Sequence, residues 1–191
     1  MTYPLVVICR MAARLAKDDA LFCSTGQLLS LVPGKVGSCL RVTFYHQINS
    51  KVSLACHIGF GSYFPHPEIE VGDGVYIGAY SIIGMAKIGP NCTIGSQVNI
   101  LSGKAQHNFR EIGKPVQSQG GVFRAISVGE NSWIGNGAIV MASLGRQNVV
   151  GAGAVVTKDS NDYEVLAGNP ALAIETLKDF RINLVIAHAG N

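Results

Sequence analysis

An aliphatic residue followed by glycine recurs about every six residues, and this period constrains the fold more than any other feature. The first run comprises Val71-Gly72, Ile77-Gly78, Ile83-Gly84, Ile88-Gly89 and Ile94-Gly95, and Ile100 keeps the phase without its glycine. Its steps are 6, 6, 5, 6 and 6. The second comprises Val128-Gly129, Ile134-Gly135, Val140, Leu144-Gly145, Val150-Gly151 and Val156, with steps of 6, 6, 4, 6 and 6. Such a period fits neither a helix, with 3.6 residues per turn, nor a strand, which alternates every second residue. It fits a chain that runs straight, turns and repeats. Three such units close a triangular coil, so about 18 residues make one rung of a solenoid. The aliphatic residue points inward and stacks on its equivalent one rung away. The following glycine is expected to turn the corner at positive φ, which costs it little. A second inward position is expected at Val75, Ser81, Cys92, Val98, Ser132, Ala138, Asn148 and Ala154.

Composition agrees with a turn-rich aliphatic fold. The 191 residues include 23 glycines, 48% are hydrophobic and only 14% are charged. A disordered chain would be more polar, and a coiled coil would carry far more Glu, Lys and Arg. No apolar run reaches the ~18 residues of a membrane span. The net charge of +3 is too small to argue for nucleic acid. It is unevenly spread: residues 1–66 carry Arg10, Arg14, Lys17, Lys35, Arg41 and Lys51 against Asp18 and Asp19. This basic third raises contact between residues 1–34 and a membrane surface or hydrophobic partner as an expectation. Cys9, Cys23, Cys39, Cys56 and Cys92 are odd in number and form no C-x-x-C. That pattern favours a reducing compartment over a disulfide framework or a zinc site. The short run Pro4–Cys9, followed by Arg10 and Arg14, does not read as a signal peptide. A cytoplasmic location is expected, peripheral at the membrane's inner face if the basic third binds there.

Three segments follow. Residues 1–50 read as helical or irregular, with helical character over Pro4–Arg14 and Ala20–Val32 ended by Gly34 and Gly37. Residues 51–163 carry the solenoid, with first rungs around Val52, Ile58 and Tyr63. Residues 164–191 form a tail. There the spacing of Ala171, Ile174, Leu177 and Lys178 predicts a short helix capping the last rung. The hexad phase is lost at residues 101–127, LSGKAQHNFREIGKPVQSQGGVFRAIS. A long loop leaving a regular solenoid is usually functional.

The hexad array, SVGENSWIGNGAIVM (127–141), VVGAGAVVTKD (149–159) and AGNPA (167–171) together resemble the hexapeptide-repeat acyltransferases. The resemblance is strongest to the maltose, galactoside and xenobiotic O-acetyltransferases and their relatives in polysaccharide biosynthesis. It covers roughly residues 58–180. It implies an all-β solenoid, a left-handed parallel β-helix with a helical N-terminal segment, a protruding loop and a C-terminal helix. It also implies acetyl-CoA as acyl donor, no required metal, a hydroxyl-bearing sugar acceptor and a homotrimer with active sites between subunits.

Acetyl transfer from a thioester to a hydroxyl needs a base, oxyanion donors and a surface holding both reactants together. His107 lies in the loop where the resembling enzymes keep a catalytic histidine, and a neutral imidazole suits the task. His57 and His66 precede the array and read as structural or surface histidines that could approach the acceptor. Glu111 is a candidate partner for His107. The resemblance assigns coenzyme A contacts to Trp133, Asn136, Ala142, Ser143, Ala152, Thr157 and Lys158. Trp133 is expected to project outward, and Ala142 and Ser143 to offer backbone donors. Where many relatives carry basic residues after G-x-P-A, this chain has Leu172 and Glu175, so Lys178 or Arg181 is expected to compensate. Asn99 and Ser102 are expected at the acceptor. An antibiotic acceptor, a γ-type carbonic anhydrase and a non-catalytic solenoid are the alternatives. The carbonic anhydrase needs three histidines on adjacent rungs around zinc, and His57, His66 and His107 are not so spaced.

Overall fold

The hexad positions build three parallel sheets that form the sides of a triangular coil. The computed structural model describes residues 19–177 together with Pro4 and Val7. Most of the 4–14 stretch and Lys178 lie outside the described residues. The first side contains β2 (Ile69–Val71), β5 (Ala86–Ile88) and β8 (Ile126–Val128). The second contains β1 (His57–Ile58), β3 (Tyr76–Ile77), β6 (Thr93–Ile94), β9 (Trp133–Ile134), β11 (Val149–Val150) and β13 (Glu164–Gly168). The third contains β4 (Ile82–Ile83), β7 (Asn99–Ile100), β10 (Ile139–Val140) and β12 (Val155–Val156).

Register confirms the stacking. Ile58, Ile77, Ile94, Ile134, Val150 and Leu166 pair in succession along the second side, and all are buried. All eight residues expected at the second inward position are buried too. Val52 and Tyr63 bridge to Val71 and Ile82, so the first rung does begin near residue 52.

Rung length differs from the expected 18. Paired residues are 19 apart from Ile58 to Ile77, 17 from Ile77 to Ile94 and 16 from Ile134 to Val150. The short steps, Ile83 to Ile88 and Val140 to Leu144, both fall at the corner between the third and first sides. The long loop leaves from this same corner, after Ile100, and returns at Ile126.

The repeat glycines also serve a different end. Positive φ occurs two residues later, at Tyr80, Gln97, Gly137 and Gly153. At Gly78 the constraint is a neighbouring rung: a Cβ there would sit 2.6 Å from the Gly95 carbonyl carbon and the Ser96 nitrogen. Glycine is required because backbones of adjacent rungs approach closely.

Two helices cover the first rung: α1 (Ala20–Ser30) and α2 (Gly34–Ile48). Gly34 and Gly37, expected to end the helical part, instead open α2. Pro33 leads into it with extended backbone, and Gly37 packs directly on the Val32 carbonyl. Phe22, Leu29, Phe44 and Tyr45 turn inward, and the Tyr45 ring meets Phe64 of the first rung at 4.3 Å. Arg41 is fully buried. Its guanidinium donates to the carbonyls of Leu29, Ser30, Val32 and Ile58, tying both helices to β1.

The tail corrects the start of the helix expected from Ala171 onward; Leu177 is helical, and residues 178–191 lie outside the described residues. Residues 171–176 are instead a strand, β14 (Ala171–Thr176), antiparallel to β13. The exposed edge of β13 offers unpaired backbone groups, and a turn at Asn169 and Pro170 lets the chain fold back and pair with them.

Candidate functional site

The inserted loop is an organised hairpin. Its arms pair through Arg124 N–H to Ser102 O, Val122 N–H to Ala105 O and Asn108 N–H to Gly120 O. At its tip the Gln119 side chain donates to the carbonyls of Glu111 and Lys114 and accepts from Glu111 N–H. Glu111 pairs with Lys114 at 3.1 Å, so its carboxylate is engaged at the tip.

Two cavities flank the first arm. The larger, about 580 Å³, is lined by Gly103, Lys104, Ala105, Val122, Arg124, Ala125 and Ile126 of the loop, and by Met141, Ala142, Ser143, Lys158 and Asp159 of the next rungs. Three cations and one carboxylate give it a positive balance. Asp159 accepts from Ser143 N–H at 2.8 Å, and Lys104 Nζ approaches the Thr157 carbonyl at 3.4 Å. The smaller, about 140 Å³, is lined by Pro65, His66, Ile82, Gly84, Asn99, Ile100, Leu101, Ser102 and Gln106. Gly103, Lys104 and Ala105 therefore face one cavity, while Leu101, Ser102 and Gln106 face the other. His107, the next residue, is exposed and lines neither cavity in the single chain.

The expected residues divide between places. Ala142, Ser143 and Lys158 line the larger cavity, with Thr157 adjacent. The Ser143 N–H, expected as a donor to ligand, meets Asp159 Oδ1 within the chain. Asn99 and Ser102 line the smaller cavity. Ser102 is buried and its hydroxyl accepts from Met85 N–H, a bond that locks the root of the loop. Trp133 does project outward, at 56% exposure, from the second side. Asn136 and Ala152 sit on the corner between the second and third sides. The Asn136 carboxamide accepts from Ser96 N–H and bridges two rungs. Within one chain, Trp133, Asn136 and Ala152 line neither cavity.

Three features escaped the sequence reading. Lys104 and Arg124 line the larger cavity together with Lys158, yet both lie in the aperiodic loop, where no spacing sets a direction. The pairing of His66 Nδ1 with Asp19 Oδ2 at 2.9 Å joins residues 47 positions apart. His57 stacks on Tyr76 with ring centroids 4.9 Å apart and bonds Ser38. Burial, with the nearby Arg41 charge, lowers its pKa below the ordinary histidine value.

Residues 68–102 and 125–158 match the profile described as "Hexapeptide repeat of succinyl-transferase". The two matched segments flank the loop. The chain is 29% identical over 158 residues to the galactoside O-acetyltransferase of Lactococcus lactis, covering 80% of this chain and 68% of that protein. It spans 25% and 41% of the lengths of two other curated relatives that it matches. Among solved structures, a maltose O-acetyltransferase from Clostridium difficile 630 superposes with a TM-score of 0.72 at 23% identity, over 85% of this chain and 87% of that one. A galactoside acetyltransferase in complex with coenzyme A superposes with a TM-score of 0.66 at 21% identity, over 85% and 82%. The repeat match and these likenesses imply left-handed coiling of the β-helix.

Proposed function

We propose that the chain, whose repeats match the hexapeptide profile on both sides of the loop, is an acetyl-CoA-dependent O-acetyltransferase of the hexapeptide-repeat acyltransferase family acting on a sugar or polysaccharide precursor. One observation carries the reading. The first loop arm is a partition with a cationic cavity on one side and a small cavity of mixed polar and apolar lining on the other, and His107 follows directly at its end. Lys104, Arg124 and Lys158 suit the phosphates of coenzyme A, and the smaller cavity suits the acceptor.

In this reading His107 takes the acceptor hydroxyl proton as its oxygen attacks the thioester carbonyl carbon. The C–O bond forms, the C–S bond breaks as the tetrahedral intermediate collapses, and the imidazolium returns the proton to the departing thiolate. Trp133, Asn136 and Ala152 lie away from both cavities of their own chain. A homotrimer that sets this surface against a neighbour's loop would unite the two sets. The reading extends to a cytoplasmic enzyme with peripheral membrane contact through residues 1–34. Leu28 and Leu31, each 64% exposed, support that contact. No helix among the described residues is long and apolar enough to cross a membrane.

The test is acetyl transfer from acetyl-CoA across a panel of sugars, nucleotide sugars and antibiotics. His107→Ala is expected to lower turnover by on the order of 10²–10⁴-fold with the fold intact. Unchanged turnover in a folded variant refutes the base assignment.

A further inference from the structure

We infer that Asp19 and His66 form an acceptor-binding pair selecting a single, neutral, polyhydroxylated ring; the inference rests on the functional reading above. Asp19 stands at the N-cap of α1, where an aspartate side chain ordinarily accepts a bond from the helix's own first turn. Here it makes no such cap. Its Oδ2 instead meets His66 Nδ1 at 2.9 Å. A carboxylate only accepts, so His66 Nδ1 donates to Asp19 and Nε2 is the ring nitrogen that remains to meet a ligand. The loop holds the same ring from another direction: Phe123 packs against it edge to face at 5.6 Å. His66 is thus fixed by α1 and by the element that carries His107.

The cavity that His66 lines defines the ligand. At about 140 Å³ it lies well below the ~300–1,000 Å³ of sites that enclose a whole drug-sized molecule. It accommodates one ring or chain end. Ile82 offers an apolar patch to ring C–H groups, and Asn99, Ser102 and Gln106 add polar groups. No Lys or Arg is among its described lining residues, in contrast to the larger cavity. A phosphorylated ring would find no countercharge there. His66 Nε2 hydrogen-bonds a hydroxyl beside the reacting one and turns the reacting hydroxyl toward His107. His66 is a binding and positioning residue, and the proton transfer stays with His107.

The experiment uses the full chain, with methyl glycosides and their single-deoxy analogues as acceptors. His66→Gln and Asp19→Asn are expected to raise acceptor KM at least tenfold, with a smaller fall in kcat and an unchanged KM for acetyl-CoA. His66→Ala is expected to erase the preference for the glycoside over the analogue lacking the contacted hydroxyl. His66→Gln, whose amide can still hydrogen-bond a hydroxyl, is expected to retain part of it. The imidazole NMR signals of His66 should shift when a glycoside substrate is added without acetyl-CoA. Unchanged acceptor KM, or no shift at saturating glycoside, overturns the inference while acetyl transfer by the wild type leaves the functional reading standing. A kcat loss in His66→Ala as deep as in His107→Ala overturns it too, by making His66 the base. Asp19, His66 and Glu68 have ligand atoms within 4.8 Å of one another. Stoichiometric metal in the wild type that is lost in His66→Gln therefore also overturns it. A wild type that binds no acetyl-CoA overturns both readings.

Discussion

Arg41→Met should detach the helical pair from the solenoid. Arg41 is fully buried and meets four carbonyls: Leu29, Ser30, Val32 and Ile58. Two of these keep a backbone donor without it, because Val32 N–H bonds Leu29 O and Gly61 N–H bonds Ser30 O. Val32 O and Ile58 O take their bonds from Arg41, at 2.8 Å and 2.9 Å. Leaving the buried Ile58 carbonyl unpaired costs about 1–3 kcal/mol and the part-buried Val32 carbonyl costs less, so about 2–4 kcal/mol together. Removing a desolvated cation offsets part of this cost, which sets the expected loss near the lower half of that range. Methionine keeps the volume and isolates the polar effect. Arg41→Lys should lose nearly as much, since one ammonium cannot reach Val32 and Ile58 as the guanidinium fork does. Denaturant unfolding measures the total, and amide exchange locates it. Exchange should accelerate across 20–48 while the β6 and β9 amides of Thr93 and Trp133 stay protected, because each rung of a solenoid depends chiefly on its neighbours. A variant within 1 kcal/mol of wild type, or one that loosens β9 as much as α1, refutes the reasoning.

Two further outcomes are expected. Gly78→Ala should cost more than the ~1–3 kcal/mol of ordinary overpacking, because its Cβ would meet backbone atoms at 2.6 Å that cannot swing away. Gly153→Ala, in open space at φ +69°, should cost only the ~1–2 kcal/mol of the left-handed conformation; equal thermal shifts in the two would contradict the close-approach account. His57 carries a lowered pKa, so below about pH 6.5 the unfolded chain binds the proton more readily than the folded one. Stability should therefore fall as pH drops from about 6.5 through the folded value. His57→Gln should flatten that slope in urea titrations, and an unaltered slope would exclude His57 as its source.

The coil and its inward residues could be read before any coordinates because each rung repeats a local rule. Ile77, Ile94 and Ile134 occupy equivalent places, so spacing alone puts them in one column. The outward direction of Trp133 follows from the same alternation. The loop announced itself where the rule failed, and His107 could be singled out within it. The rule misled where a neighbour decided. The repeat glycines read as corner residues, yet the adjacent rung is what excludes a side chain at Gly78. The 171–176 segment has helical spacing, yet the free edge of β13 draws it into a strand.

What the sequence by itself determined was the solenoid, its core and the place of the interruption, since these depend on a short repeated pattern of apolar and small residues. Only the tertiary structure decided which polar groups meet. Lys104, Arg124 and Lys158 share a cavity because the loop springs from the one irregular corner. Asp19 reaches His66 because buried Arg41 and the Phe22–Tyr45–Phe64 packing hold α1 over the first rung. Those encounters join residues far apart in sequence, and no local period encodes them.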